Sequence, residues 1–173
     1  NIFEETGYTK QWILGRVSTF EYLIALNMFS GRTFNSVMQY PIFPWILSSY
    51  DGKELDLNDP KSYRNLKKPI GAIDPQRLSE LISRSRRGDD FYLYDSTYSA
   101  PNMVCKLLSN IEPFGSLSSE RVTSLQKEYI QALTCLGNYT ELTPEFFFSP
   151  EVVENMVLPE WATSPFDFIY MHR

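Results

Sequence analysis

Few residues in this chain are suited to catalysis. It has one histidine, His172, next to its end, and two cysteines, Cys105 and Cys135, with no Cys-x-x-Cys spacing and no histidine beside them. Triads, most zinc enzymes and most base-catalysed reactions want an interior histidine, so the sequence argues against histidine-dependent catalysis. The cysteine pattern suits neither a structural zinc site nor a disulfide scaffold, and both thiols read as buried, reduced core residues. Carboxylate chemistry remains, with Asp89 and Asp90, or Glu141 and Glu145 around Pro144, as candidates. Glycoside hydrolysis would need two such groups across a sugar cleft with separated pKa values. Asp89-Asp90 beside Arg86-Arg87 reads instead as a solvated charge cluster. Glu141 and Glu145 read as caps, or as partners of an Arg or Lys at a helix or loop junction. The sequence predicts no enzyme, no metal and no cofactor.

Binding chemistry is better represented. Sixteen Lys+Arg against 21 Asp+Glu give a net charge of −5 over 173 residues. That balance argues against nucleic acid, whose phosphates need a basic face. The basic clusters, Lys67-Lys68 and Arg84…Arg86-Arg87, fall short of the roughly four to eight charges of a polybasic membrane anchor. Membrane association is therefore expected to be indirect, through neighbouring domains. No apolar run approaches the roughly 18 residues of a membrane span, and the start of the chain, with Glu4 and Glu5, does not read as a signal peptide. The glycosylation sequon Asn138-Tyr-Thr140 is of a kind expected by chance in a chain this long. The unusual figure is aromatic: 3 Trp, 11 Tyr and 12 Phe, 15% of the residues. Rings with a polar tip dominate protein-recognition hot spots, and Tyr40–Leu47 with Trp45, flanked by Arg32 and Asn35, is the candidate groove or docking face. The competing reading makes these rings a core. Asn27, Arg32, Asn35, Gln39 and Arg64 would then supply hydrogen bonds to irregular backbone. The candidates for interface or core-organising roles are thus Asn27, Arg32, Asn35, Tyr40, Trp45 and Arg64.

These side chains must be positioned by short elements. A small polar or acidic residue followed by proline marks an N-cap with proline in the first helical turn. It occurs at Asp59-Pro60, Asp74-Pro75, Ser149-Pro150 and Ser164-Pro165, with Ser99-Ala-Pro101 a looser version. After Pro101, the spacing of Val104, Leu107, Leu108 and Ile111 predicts a helix that Pro113 ends. Two longer amphipathic helices are expected. One runs from the capping box Ser18-Thr-Phe-Glu21 through about Phe29, with Gly31 to stop it. The other runs from about Ser118 to Leu136, stopped by Gly137 and Asn138. Between Tyr40 and Ile73, Pro41 and Pro44 deny a continuous helix or central strand, so this segment is expected to be extended, irregular and buried. Without an internal repeat or low-complexity tract, residues 1–173 read as one domain.

The blocks Val17–Leu23, Leu26-Asn27, Gly31-Arg-Thr-Phe-Asn35 and Gln39-Tyr-Pro-Ile-Phe-Pro-Trp-Ile-Leu47 resemble the opening of a BEACH domain. Similarity continues, in family order, through Leu55-Asp-Leu57 and Tyr63–Gly71. It resumes at Thr97–Ser99, Ile111–Phe114, Glu141–Phe147, Leu158–Ala162 and the last residues of the chain. There are departures. Ser30 and Ser36 stand where the family usually has Ala and Asp, and Leu93–Tyr98 replaces a His-Tyr-Gly-Thr-His-Tyr block. Stretches expected before Arg121, between Asn155 and Val157, and after Arg173 are missing. Either this is a short divergent member, or loops and a C-terminal part of the family domain are absent. The gaps fall where loops or ends are expected, which favours the second. The resemblance implies a mainly α fold, with short helices around a core of extended, proline-broken segments and little or no β-sheet. It also implies a non-enzymatic scaffold module of a large cytosolic protein, peripheral on endosomal, lysosomal or other vesicle membranes. Such proteins act in vesicle trafficking, lysosome size control or autophagy. The module would dock with an upstream pleckstrin-homology-like domain and precede WD repeats. A free-standing protein-binding adaptor is the alternative, and a carboxylate-based hydrolase a more distant one.

Overall fold

The small-polar-then-proline pairs do start helical turns. In the computed structural model, which describes residues 2–85, 101–116, 124–135 and 140–172, every such pair among them opens one. Among the described residues the α-helices are α1 (Ile2–Glu5), α2 (Tyr8–Ile13), α3 (Thr19–Phe29), α4 (Pro75–Ser85), α5 (Pro101–Leu107), α6 (Leu125–Thr134) and α7 (Pro165–His172). Single 3-10 turns follow Asp59 and Ser149. The capping groups are explicit: Asp74 Oδ1 accepts from the Arg77 amide at 2.8 Å, and Ser164 Oγ from Asp167 at 3.1 Å.

Helix α3 opens on the expected reciprocal cap. Ser18 Oγ accepts from the Glu21 amide at 3.1 Å, and Glu21 Oε2 accepts from the Ser18 amide at 2.9 Å. Those bonds from Ser18 hold the Glu21 carboxyl below the ordinary glutamate value of 4.5. The folded-state value is depressed, so the contribution is complete above that value and is lost as pH falls through the lower one. A Glu21→Gln chain should therefore be less stable than the native chain at neutral pH, and the gap between their urea midpoints should narrow as pH falls below the ordinary glutamate value and close once the folded chain's carboxyl is protonated. A gap that acid leaves unchanged would show that the ionised carboxylate does not hold this cap. Ser18→Ala, which removes the other half, should cost about 1 kcal/mol.

Three expectations about the helices need correcting. Helix α3 is not amphipathic: it is apolar around its circumference, and Leu26, Met28 and Phe29 face outward while only Ala25 and Asn27 are buried. The helix expected from Ser118 starts at Leu125. Ser124 is in extended conformation and caps it through the Lys127 amide, while Ser118 and the expected stop at Gly137 and Asn138 lie outside the described residues. Helix α5 ends at Leu107 rather than at Pro113, and Ile111 packs on the core from the following turn.

Between α3 and α4 the chain has no strand. Tyr40, Phe43, Trp45, Leu47, Tyr50 and Ile70 are buried, as the prolines suggested. The stretch from 51 to 68 lies mostly at the surface, with Leu57 38% exposed, although Arg64 within it is buried and Leu55 packs on the core, so the expected burial holds only in part. Two isolated antiparallel bridges, Phe43 with Leu142 and Leu47 with Tyr63, take the place of sheet ladders. The described fold is mainly α-helical, without β-sheet. The rings of the run Tyr40–Leu47 pack into the core: Trp45 meets Tyr50 and Tyr129 at 4.9 and 5.3 Å, and Phe43 meets Phe147 at 5.1 Å. Helices α4 and α6 both pack on the turn Ile70–Ala72. Neither cysteine is a buried core residue, since Cys105 is half-buried and Cys135 exposed, and both are free thiols.

Candidate functional site

An extended chain without neighbours to pair with leaves its amides and carbonyls in need of partners. In this fold, side chains supply them. Asn27 sits on α3 facing Ile42; its Nδ2 donates to the Ile42 carbonyl and its Oδ1 accepts from the Ile42 amide, each at 2.9 Å. A primary amide presents a donor and an acceptor side by side, as a neighbouring strand would. Arg32 Nη1 donates to the Tyr40 carbonyl at 2.9 Å. Asn35 is exposed, and its backbone amide donates to Thr33 Oγ1. Tyr40 is 3% exposed, and its hydroxyl donates to Glu145 Oε1 at 2.6 Å.

Trp45 and Arg64 meet at the centre. The Arg64 guanidinium donates through Nη2 to both oxygens of Glu141, at 2.8 and 2.9 Å, and through Nη1 to the Lys68 carbonyl at 3.2 Å. Its Nε donates to the Trp45 carbonyl. Glu141 in turn accepts from the amides of Trp45 and Ile70, at 2.9 and 3.1 Å. The Trp45 indole donates to the Thr140 carbonyl at 2.9 Å. One buried ion pair therefore binds three chain segments, around 45, 64–70 and 140–141. Burial pushes the Glu141 carboxyl above the ordinary glutamate value, against the pull of Arg64 and the two amides. Burial likewise raises Tyr40, next to the Glu145 carboxylate.

The carboxylates are thus committed to structure. Glu141 has the Arg partner expected for it. Glu145 does not; Tyr40 takes that place, with the second carboxylate oxygen buried and unpartnered. Asp89 and Asp90 lie outside the described residues. Among the described residues no cluster of His, Cys, Asp or Glu could hold a metal ion, and no helix is long and apolar enough to cross a membrane. Two buried charged groups escaped sequence reasoning. Arg77, on α4, donates to the carbonyls of Ala132 and Cys135 at the end of α6. Glu128, on α6, pairs with Lys106 of α5 at 2.9 Å. The signal available was a lone Arg or Glu at a position that helical spacing turns inward.

Several depressions reach this framework from outside, among them one of about 340 Å³ lined by Asn27 and Arg32. A groove of about 820 Å³ lies beside α3, walled by Phe20, Leu23, Phe34, Phe43, Phe147 and Phe148. A smaller cleft of about 320 Å³ has Arg64 and Glu141 among its lining, together with Ile42, Pro44 and Leu66–Pro69. Glu145 does not line it, so the structure does not place the two glutamates across a common cleft.

Residues 10–173 match the family model described as Beige/BEACH domain. The chain is 33% identical to proteins named as neurobeachin homologs in Caenorhabditis briggsae and Caenorhabditis elegans. Each alignment covers 99% of this chain and 8% of the relative, so the chain spans less than a tenth of the length of these curated relatives. The alignments run over 204 residues, more than the 173 of the chain, so the relatives carry segments that this chain lacks. A match over nearly the whole sequence, on a helical fold whose irregular middle is held by side chains, places this chain in the BEACH-domain family.

Proposed function

We propose that the chain is a non-enzymatic scaffold and interaction module of a large cytosolic protein. That protein would act in vesicle trafficking, lysosome or endosome size control or autophagy, and sit peripherally on vesicle membranes. Family membership supports the scaffold role, and the commitment of Glu141 to Arg64 supports a site without catalysis. The first partner proposed is a pleckstrin-homology-like domain of the same protein, seated on the groove beside α3. The observation that carries this is the groove itself. It is open, about 820 Å³, walled by phenylalanines, and Phe43 and Ile46 of the candidate run Tyr40–Leu47 line it. Phe34 and Phe148 at its walls remain 46% and 45% exposed, and exposed aromatics around an apolar depression mark protein interaction surfaces.

The test is to produce this chain with and without the adjoining pleckstrin-homology-like segment. The pair is expected to co-purify and to unfold as one transition at a higher temperature than the chain alone. Phe148→Asp should abolish both effects while leaving the helical circular-dichroism signal intact. Two independent monomers with unchanged melting temperatures would remove the docking part of the proposal.

A further inference from the structure

Lys67 and Lys68 sit at the rim of the 320 Å³ cleft, and nothing described so far uses them. Both are exposed, and neither takes part in an ion pair among the described residues, although acidic residues outnumber basic ones in the chain. The turn that carries them is not a loose loop. The Lys67 amide donates to Asn65 Oδ1 at 3.0 Å, the Lys68 amide to the Asn65 carbonyl at 3.2 Å, and the Lys68 carbonyl accepts from Arg64. The buried clamp therefore fixes the stretch of backbone from which the two lysines project. Below them the floor polar groups are already satisfied, because Arg64 and Glu141 hold each other. The lining also includes the apolar residues Ile42, Phe43, Pro44, Leu66 and Pro69, of which Leu66 is 54% exposed.

We propose that this cleft docks an extended acidic segment of a partner protein. One apolar side chain of the segment enters between Pro44, Leu66 and Pro69, and flanking carboxylates meet Lys67 and Lys68. Local charge complementarity selects the occupant, since the ammonium groups of Lys67 and Lys68 attract carboxylates and repel basic side chains at short range, even though the chain as a whole is acidic. A lipid surface fits worse, because it is flat where the cleft is concave, and two lysines are fewer than the roughly four to eight that polybasic membrane binding uses. This goes beyond the docking proposed above, which concerns the groove beside α3.

The experiment uses the whole chain and a fluorescein-labelled short peptide of aspartates and glutamates around one central leucine. A control peptide carries lysines in place of the acids, and vesicles rich in phosphatidylserine form a third arm. The acidic peptide should raise fluorescence anisotropy saturably, more weakly as salt rises, while the basic peptide and the vesicles bind no better than background. The double variant K67E/K68E should weaken the acidic peptide by about tenfold or more, with its melting temperature unchanged because both side chains are exposed. Absence of saturable peptide binding, or equal binding by K67E/K68E, overturns the proposal. Binding of vesicles without binding of peptide also overturns it, and reassigns the two lysines to a membrane contact.

Discussion

Glu141→Gln is expected to lower the unfolding free energy by about 3–5 kcal/mol, the range for breaking a buried ion pair by removing one partner. Gln keeps the length of the side chain, so little cavity forms and the loss is electrostatic. The amide has one acceptor where the carboxylate had two, and its NH2 would face donors that now point at Glu141: the Trp45 amide, the Ile70 amide and Arg64. Arg64, 8% exposed, would keep its charge without a counterion. Against a typical domain stability of about 5–15 kcal/mol this is a large fraction. Urea unfolding followed by circular dichroism should show it as a lower midpoint with an unchanged slope. Replacing both partners by apolar residues, as in R64M/E141L, should recover a good part of the loss, because no unpaired charge is then buried. A single-variant cost below about 1 kcal/mol, the range of exposed ion pairs, would show that the pair does not clamp these segments.

The same clamp shows where sequence reading succeeds and where it stops. Asp74-Pro75 and Ser18 with Glu21 are local signals, their partners lie within three residues, and both were legible. The irregular run from Tyr40 was legible because proline denies both regular ladders. Its partner was not. Glu141 lies 77 positions from Arg64, and neither the period of a helix nor that of a strand specifies a pairing across such a separation. Glu145 shows the same gap, since pairing it with an Arg or Lys was reasonable from charge alone, yet the group that reaches it is the hydroxyl of Tyr40, 105 positions away. Helix α3 misled for a different reason. A stripe of Phe20, Leu23, Ile24 and Asn27 faces the body, but Leu26, Met28 and Phe29 continue the apolar surface outward. Spacing alone does not say which side of an all-round apolar helix will be covered.

Trp45→Ala should destabilise by about 3–5 kcal/mol, the cost of removing a large aromatic from a closed core. Trp45 is 1% exposed, its ring lies against Tyr50 and Tyr129, and its indole N–H serves the Thr140 carbonyl. Trp45→Phe separates two contributions. It retains an aromatic ring for Tyr50 and Tyr129 but withdraws the N–H from Thr140, so it should cost less, about 1–3 kcal/mol. The variant also has a spectroscopic signature. Of the three tryptophans, Trp12 is 37% exposed and Trp161 half-buried, so Trp45 is the one shielded from water. Folded Trp45→Phe should therefore emit at longer wavelength than the native chain, and its emission should shift less on unfolding. These measurements decide between the two readings that the aromatic-rich run Tyr40–Leu47 first allowed. A docking anchor is exposed in the free protein, and its removal weakens a partner while leaving the fold intact. A core ring does the reverse, and the side that Trp45 turns to solvent is too small for a partner to hold. If Trp45→Phe melted with the native chain and kept its emission, the ring would not be where the core places it.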